Sequence, residues 1–410
     1  MTLPLIVYRS LRQHALSTLI TAGGIALAAG LLMTVWRVKV ESQAAFTQTS
    51  AGFDAVLGAR GSKLQLVLNA IFHLEASPGN VAAADAEAIR RHPMVKTAIP
   101  IAVGDNLRGF RLVGTVPDLF TGVEYAPGRK YAIEAGGRLF AADQREAVAG
   151  SFAAQRLGLR VGSVFRPFHG LNFDPKAEHA EEFTVTGILA PTNTPADRVI
   201  WLPLRGIQTM AGHDPKAATD VSAVLLQLRT PTAGFMLDML YNKQGNRLTF
   251  AFPVGAIIAE LFGKISWFDR VLELVAYLVA LVAAGSVLAS IYNSMSARQR
   301  DLAILRALGA RRRTVFGAVL AEATVIGAVG ALAGVAAHFA LYAGVAGLIR
   351  AQTGVVLTPW AFHAVLVLCP LAMTALCALG GIVPAVKAYR TPVAETIAPV
   401  WARMRPATPA

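Results

Sequence analysis

Five side chains in this sequence have the types that bind metal ions, and they fall into two segments. His73 and Glu75 belong to FHLEASPGN, whereas His169, Glu178 and His179 belong to HGLNFDPKAEH. Imidazole and carboxylate groups hold zinc when three or four of them converge in a tetrahedral array. Because the two segments are far apart in the chain, His73, Glu75, His169 and His179 are weak candidate ligands. The simpler interpretation is that they are histidines in polar surface loops.

Motifs for nucleotide binding and hydrolysis are absent from the sequence. A phosphate-binding loop needs G-x-x-x-x-G-K-[ST], so that backbone N–H groups and the lysine surround the phosphates. The nearest stretches, GARGSK, GRKY and FGKIS, lack that spacing, and neither H-E-x-x-H nor G-x-S-x-G occurs. No nucleotide-binding site is therefore encoded in this sequence.

Composition indicates a membrane protein. Of the 410 residues, 54% are hydrophobic and 15% are charged, whereas soluble domains carry about 25% charged residues. A bilayer core about 30 Å thick needs about 20 apolar residues in a helix, and four runs satisfy this: 17–36, 269–293, 314–345 and 361–384. The net charge of +13 does not indicate nucleic-acid binding, because the basic residues flank the apolar runs and no nucleic-acid-binding signature accompanies them.

The segment 37–268 is too polar to span a membrane and has a mixed α/β pattern. Strand-like runs bounded by Gly and Pro include FDAVLGAR near its start and NRLTFAF near its end, with helical stretches between them. Strands at both ends can pair, so the middle, 117–218, is a candidate second subdomain. The predicted fold class is an α-helical membrane protein with four transmembrane helices and a large mixed α/β domain inserted between the first and the second.

The distribution of Lys and Arg predicts the orientation, because short cytoplasmic flanks are enriched in positive charge. Basic residues concentrate in three segments, namely the N-terminal amphipathic segment 1–16, the loop 294–313 and the tail 385–410. The loop 346–360 has only Arg350. All three basic segments lie in the cytoplasm only if both termini do, which places 37–268 outside. Arg37 and Lys39 then lie on the outer side, where a long translocated domain tolerates them.

Polar side chains inside the apolar runs are few. Glu273 and His338 lie toward the predicted outer ends of their runs, and Glu322 lies on the cytoplasmic side of the third run. Such groups are costly in lipid and often functional. However, carboxylates near opposite surfaces make a poor proton path, which favours packing or interface roles.

Small residues at four-residue spacing predict close helix contacts in lipid. They are Ala22, Ala26 and Gly30 in the first run and Gly330 and Gly334 in the third. Such patterns are common by chance in runs rich in Ala and Gly, so they support oligomerisation only weakly.

The segment RQRDLAILRALGARRRTVFGAVLAEA, residues 298–323, leads from a basic stretch into the third apolar run. Leu302, Leu305 and Leu308 recur at helical spacing, and Gly309 suits a C-cap, which predicts a short amphipathic helix. The residues alone leave two interpretations open. The helix is either an anchor on anionic lipid or a docking helix for a cytoplasmic partner.

The same segment resembles the signature of FtsX-like/MacB-like ABC transporter permeases, R-x-x-E-I-G-I-x-[RK]-A-[LI]-G-A-x-[RK]. Two positions depart mildly, with Asp301 in place of Glu and Ala303 in place of Gly. The matching residues are Arg306, Ala307, Leu308, Gly309, Ala310, Arg312 and the later Glu322. The tail PAVKAYRTPVAETI and the N-terminal YRSLRQHALSTLITAGGIALA also resemble the family.

The resemblance implies a permease subunit of the bacterial inner membrane that transmits motion from a separate cytoplasmic ATPase to its own periplasmic domain, which is called mechanotransmission. ATP and magnesium would bind in the ATPase. The resemblance also implies a second copy of the permease, as a homodimer, and a role for a periplasmic partner protein. The residues that would form the coupling helix on the ATPase are Arg300, Asp301, Leu302, Leu305, Arg306, Leu308, Gly309 and Arg312.

Two other functional classes stay open at this point, and either could be linked to metal handling. A membrane-anchored receptor would explain the large insert but not three further spans with a coupling loop. A proton-coupled secondary transporter would need Glu322 to titrate during transport. The substrate is equally open among lipoproteins, lipids, peptides, drugs and metal-linked cargo.

Overall fold

The computed structural model describes residues 3–47, 51–211, 218–307, 309–353 and 362–390, with side chains described except in 42–47, in parts of 265–305, in 352–353 and at 388. The chain divides into two compact units. The helical unit comprises Met1–Glu41, Trp267–Leu348 and Thr358–Ala410. The α/β unit comprises Ser42–Ser266 and Ile349–Leu357.

Along the chain, the strands and short helices of the α/β unit lie between the helices of the helical unit. In chain order the α-helices are α1 (Leu3–Gln13), α2 (Ala15–Thr47), α3 (Lys63–Ala70), α4 (Ala83–Arg90), α5 (Asp118–Gly122), α6 (Ser151–Leu157), α7 (Leu204–Gln208), α8 (Pro231–Asp238), α9 (Val254–Ala307), α10 (Arg312–Thr353) and α11 (Val365–Arg390). The strands are β1 (Ala55–Ala59), β2 (Val95–Leu107), β3 (Phe110–Thr115), β4 (Glu124–Ala126), β5 (Arg129–Lys130), β6 (Glu146–Ala149), β7 (Val164–Phe165), β8 (Phe168–His169), β9 (Phe183–Ile188), β10 (Ile200–Pro203), β11 (Ala223–Leu228) and β12 (Leu248–Ala251). A 3₁₀-helix, Pro195–Arg198, and a π-helical turn, Met239–Gln244, complete the set.

Three of the described helices are long and apolar enough to cross a membrane. These stretches are Ala15–Glu41 in α2, Arg312–Ala351 in α10 and Val365–Lys387 in α11. The predicted span 269–293 falls in α9, where the apolar stretch found among the described residues is Glu273–Val282. That stretch is shorter than the about 20 residues a bilayer needs. The structure therefore combines apolar membrane helices with an α/β unit, and a total of four spans stays a prediction.

Helix α9 runs without interruption for 54 residues, which is about 80 Å at 1.5 Å per residue. The sequence analysis instead predicts a span ending near 293 and a separate short helix within 294–313. No proline occurs between Val254 and Ala307, and proline is the residue that most strongly breaks a helix. The backbone therefore continues through the predicted boundary. Helix α2 likewise continues past the predicted end of its span at residue 36.

Buried apolar residues of α2, α10 and α11 form the core of the helical unit. They include Ala29 and Met33 of α2 and Ile326 of α10. Cys369 and Cys377 of α11 belong to the same core, and both are free thiols. Both cysteines therefore pack within this core, and they do not form a disulfide with each other.

The α/β unit is built on one sheet with the strand order β12-β1-β11-β2-β3-β10-β6-β9-β7, and β8 pairs with β2 outside this order. The pairs β3–β10 and β6–β9 are parallel, and the other neighbours are antiparallel. Strands β1 and β12, from opposite ends of the inserted segment, pair directly. The sheet therefore draws together the two ends of the segment.

Successive side chains of a strand point to opposite faces of the sheet, so apolar layers form on both faces. In β10, Trp201 joins the core that also contains Val56 of β1, whereas Ile200 and Leu202 join a core on the other face. The first core contains residues of the strands from β12 to β6 in the sheet order. The long strand β2 is shared by both halves, because it pairs with β11 through its first part and with β3 and β8 through its second part.

Candidate functional site

The basic segment 298–313 contains the end of α9 and the start of α10. Helix α9 ends at Ala307, and Gly309 has a φ of +97°. The N–H of Gly309 donates to the carbonyl oxygen of Arg306 at 3.0 Å, as in left-handed glycine termination of a helix. The next three arginines, 311–313, are exposed. The segment thus presents a group of cations beside a helix end.

Only part of the predicted coupling helix can be placed with its side chains. The guanidinium of Arg312 lies over the ring of Tyr389, 5.8 Å from its centroid. Lys387 Nζ donates to the Tyr292 hydroxyl at 2.5 Å. Other predicted docking residues have side chains outside the described part of the structure, namely Arg300, Asp301, Leu302 and Leu305. Leu308 lies outside the described residues entirely.

The small residues predicted to pack in lipid meet within one chain, between α2 and α10. A Cβ added at Gly330 would lie 2.9 Å from the carbonyl oxygen of Ala22. A Cβ added at Gly334 would lie 3.1 Å from the carbonyl oxygen of Ala26, and one added at Gly30 would lie 3.1 Å from that of Gly334. Small residues permit this close backbone approach between membrane helices.

A polar cluster lies between the same two helices, toward the C-terminal end of each. Arg37, His338 and Tyr342 are fully buried. Arg37 Nε donates to Glu41 Oε1 at 3.1 Å, and its Nη1 is 3.3 Å from His338 Nε2. The guanidinium lies 4.3 Å from the centroid of the Tyr342 ring, and the Tyr342 hydroxyl donates to Glu41 Oε2. Thr34 Oγ1 is 3.0 Å from His338 Nδ1.

The donors and acceptors of this cluster fix the tautomer of His338. A guanidinium only donates, so His338 Nε2 accepts from Arg37 and the ring carries its proton on Nδ1. The Nδ1–H donates a hydrogen bond to Thr34 Oγ1, and the Thr34 hydroxyl donates to the carbonyl oxygen of Gly30 at 2.7 Å. A buried guanidinium is costly in lipid unless it is paired. Glu41 supplies the compensating charge, and Tyr342 covers the cation.

Further polar contacts lie around this cluster and at a distance from it. Lys39 Nζ and Glu273 Oε1 form an ion pair at 2.5 Å, with about a third of each side chain exposed. Glu322 of α10 accepts a hydrogen bond from the Ser10 hydroxyl of α1 at 2.7 Å. Along α10, Glu322 is about 24 Å from His338, from the rise of 1.5 Å per residue.

Two family models match the chain. The MacB-like periplasmic core domain matches residues 15–233, more than half of the chain, and the FtsX-like permease C-terminal domain matches residues 273–393. The chain belongs to the FtsX/MacB-like family of ABC transporter permeases. In this permease the FtsX-like match contains the basic segment 298–313 with α10 and α11, and the MacB-like match contains most of the α/β unit.

Solved structures similar to parts of the permease include the following two. One is the periplasmic region of MacB from Actinobacillus actinomycetemcomitans, with 11% identity over 52% of this chain and 94% of that chain and a TM-score of 0.35. The other is the extracellular domain of the noncanonic ABC-type transporter YknZ from Gram-positive bacteria, with 15% identity over 48% of this chain and 97% of that chain and a TM-score of 0.29. Comparison with curated proteins gives no match.

The candidate metal ligands of the permease separate into two places. His169 and His179 lie together with Asp105, whereas His73 and Glu75 are not in this group. His73 is buried with its ring edge-on to Trp201, at a centroid distance of 5.6 Å. The backbone carbonyls of Leu74 and Glu75, rather than the Glu75 carboxylate, accept hydrogen bonds from Arg111. His73 therefore belongs to the apolar core.

The sequence analysis did not identify several residues of the polar cluster around Arg37 or the carboxylate beside His169 and His179. Arg37 was interpreted only as a charge on the outer side, and Glu41 and Tyr342 were not considered. The spacing of Arg37 and Glu41, and of His338 and Tyr342, is i, i+4, which places each pair on one helix face. Asp105 was missed because nothing in VKTAIPIAVGDNL links it to the distant histidines.

Substituting Gly330 with alanine should destabilise the permease by about 1–3 kcal/mol, the range for overpacking. The new methyl would lie 2.8 Å from Ile25 Cβ and 2.9 Å from a backbone oxygen. Gly344→Ala, in the same helix, is the matched control, because nothing lies within 4 Å of a Cβ at that position and alanine favours the helix. Thermal midpoints of full-length permease in nanodiscs compare the two. Equal midpoints would contradict the close α2–α10 contact.

Acidification should weaken the α/β unit through His73. Burial, assisted by the charge of Arg111, lowers the pKa of His73 from 6.5 to about 3. In the unfolded chain this ring binds a proton below about pH 6.5, but in the folded chain it does not. Stability contributed by the neutral ring is therefore present at pH 7 and lost as the pH falls, by about 2 kcal/mol between pH 7 and pH 5. His73→Gln should reduce this pH dependence of the thermal midpoint, and an unchanged dependence would show that His73 does not cause it.

Proposed function

We propose that this permease couples ATP hydrolysis by a separate cytoplasmic ABC ATPase to movement of its periplasmic α/β unit. The observation that carries the proposal is the joint family match, which covers both the α/β unit and the membrane segment with its coupling loop. In this proposal the permease is multi-pass in the bacterial inner membrane, with four spans and both termini in the cytoplasm. ATP and magnesium bind in the ATPase, and the permease itself catalyses no reaction.

Helix α9 supports the transmission of motion along the chain. It begins three residues after the last strand, β12, and it ends in the basic segment. An α-helix is held by a continuous ladder of internal hydrogen bonds, so a displacement of its cytoplasmic end would be carried along its backbone. A force applied at Arg306 would reach Val254 without crossing a loop.

The cytoplasmic end of α9 has the composition of a docking element. Leu302 and Leu305 are one helical turn apart, and with Leu308 they would fill a groove on the ATPase. Arg300, Arg306 and Arg312 would meet acidic groups at the rim of that groove, with Asp301 and Gly309 completing the segment. A second copy of the permease and a second ATPase would form the working complex.

The buried polar groups favour mechanotransmission over proton-coupled transport. Arg37, Glu41, His338 and Tyr342 pair with one another. Glu322 is bonded to Ser10 at about 24 Å along α10 from His338. A proton path would need titratable groups spaced between these points. The substrate remains open among lipoproteins, lipids, peptides and drugs, as does a periplasmic partner protein.

Co-purification tests this proposal. The permease should be co-expressed with ABC ATPases of its host and reconstituted in nanodiscs. One ATPase should purify with it, and ATP hydrolysis by that ATPase should change when the permease is present. If no ATPase binds the well-folded permease, the proposal is wrong.

A further inference from the structure

Asp105, His169 and His179 converge in the α/β unit although they are remote in sequence. Asp105 of β2 and His169 of β8 are direct partners in an antiparallel register, and directly opposite residues project from the same face of the sheet. His179 follows a loop that returns beside β8. The coordinating atoms of the three side chains all lie within 4.8 Å of one another.

Backbone hydrogen bonds hold the two histidines in this arrangement. The N–H of His169 donates to the Ala177 carbonyl at 2.7 Å, and that of His179 donates to the Pro167 carbonyl at 2.8 Å. The side chain of Asn106, which is fully buried, donates to the carbonyls of Gly170 and Asn172 at 2.9 and 3.2 Å. The loop between the histidines is therefore fixed to β2 on the residue next to Asp105.

The distances fit ligands that share a metal ion, and His179 Nε2 and Asp105 Oδ1 are also within hydrogen-bonding distance of each other. Asp105 Oδ1 is 3.4 Å from His169 Nδ1 and 3.3 Å from His179 Nε2. Hydrogen bonds between charged partners are shorter, at about 2.7–2.9 Å. Ligands on a tetrahedral zinc ion, each about 2.0–2.1 Å from the metal, are about 3.3–3.5 Å apart. Both contacts have the spacing of two ligands on one ion.

The three side chains differ in their exposure to solvent. Asp105 is fully buried, and the side chain of His179 is 5% exposed. The side chain of His169 is 55% exposed, so an ion can enter from solvent on that side. Three protein ligands leave a fourth tetrahedral position for water or for a group on another molecule.

We propose that Asp105, His169 and His179 form a binding site for a divalent transition-metal ion of the zinc class in the α/β unit. Imidazole nitrogen and carboxylate oxygen are ligands that zinc accepts. The site is independent of ATPase docking, because all three ligands lie in the α/β unit. A metal held here with one position open would make the α/β unit able to respond to zinc or to join a partner's ligand.

Zinc titration of the full-length permease in nanodiscs, without an ATPase, tests the site. The protein carries a tag without histidine and is treated with EDTA and desalted before a fluorescent chelator competes for Zn²⁺. Wild type should bind one tight equivalent of zinc per chain, checked by elemental analysis. Absence of tight zinc in the wild type would overturn the proposal, whatever the outcome with the ATPase.

Two variants and a control make the titration specific. His169→Gln removes the exposed ligand and should weaken zinc binding by more than about 10–100-fold, the loss seen when only an outer partner of a ligand is removed. Asp105→Asn should have the same effect if it folds. His92→Gln, which changes a histidine outside the group, should bind zinc as wild type does. Equal affinity in His169→Gln and His92→Gln would show that the zinc binds elsewhere.

Discussion

Replacing Glu41 with alanine is expected to destabilise the permease by about 3–5 kcal/mol, the cost of leaving a buried charge without its partner. Arg37 is fully buried, and Glu41 accepts hydrogen bonds both from its guanidinium and from Tyr342. Without Glu41 the guanidinium would lose its carboxylate partner, while His338 and the ring of Tyr342 would stay beside it. The measurement is the thermal midpoint and the folded yield of full-length permease in nanodiscs.

The control for Glu41 is the partly exposed ion pair between Lys39 of α2 and Glu273 of α9. Glu273→Ala removes the partner of Lys39, but both of those side chains are partly exposed, so a loss of about 0–1 kcal/mol is expected. The double change Arg37→Met/Glu41→Leu should also be milder than Glu41→Ala alone, because it removes both charges together. Equal losses for Glu41→Ala and Glu273→Ala would mean that Arg37 is solvated in the membrane.

The second large effect is expected at the cytoplasmic end of α9. Leu302→Asp/Leu305→Asp should weaken binding of the ATPase by at least about 100-fold, or about 2.7 kcal/mol, because unpaired carboxylates in an apolar groove are strongly unfavourable. Both leucines belong to the helical backbone of α9. Titration of the purified ATPase onto permease nanodiscs measures the affinity.

A matched variant separates the helix face from the added charge. Ala303→Asp/Ala307→Asp places the same two charges on the opposite face, because successive residues turn by about 100° around a helix of 3.6 residues per turn. This variant should bind the ATPase nearly as the wild type does. If both double variants lose the ATPase equally, charge alone is responsible; if both retain it, the segment is an anchor on lipid.

Segments with a clear apolar period, or with Gly and Pro at their ends, predict the fold well. FDAVLGAR becomes β1, NRLTFAF contains β12, and these strands pair as their positions at the two ends suggest. An exception is AVAGSFAAQRLG, whose pattern predicts a helix throughout. Its first residues form part of β6, between β9 and β10, and only the part from Ser151 is helical. A short apolar run has no period of its own, so its sheet neighbours decide its conformation.

Contacts between remote residues account for what the sequence does not predict at the candidate sites. His338 is visible as a polar residue in an apolar run, but its tautomer depends on Arg37 and Thr34 from another helix. Asp105 has no local signal, because strand register brings it to His169. The extent of α9 was underestimated for a different reason. Hydropathy changes near residue 293, whereas helical backbone needs only the absence of a breaker.

The most direct test of the account is whether ATP moves the α/β unit. A spin label at Arg156→Cys, on the exposed face of α6, reports the distance between two permease copies in nanodiscs with their ATPase. We expect the distance distribution to shift between the nucleotide-free and ATP-bound states in the wild type. The shift should disappear in Leu302→Asp/Leu305→Asp. A bound, active ATPase with no change in that distance would contradict transmission of motion by this permease.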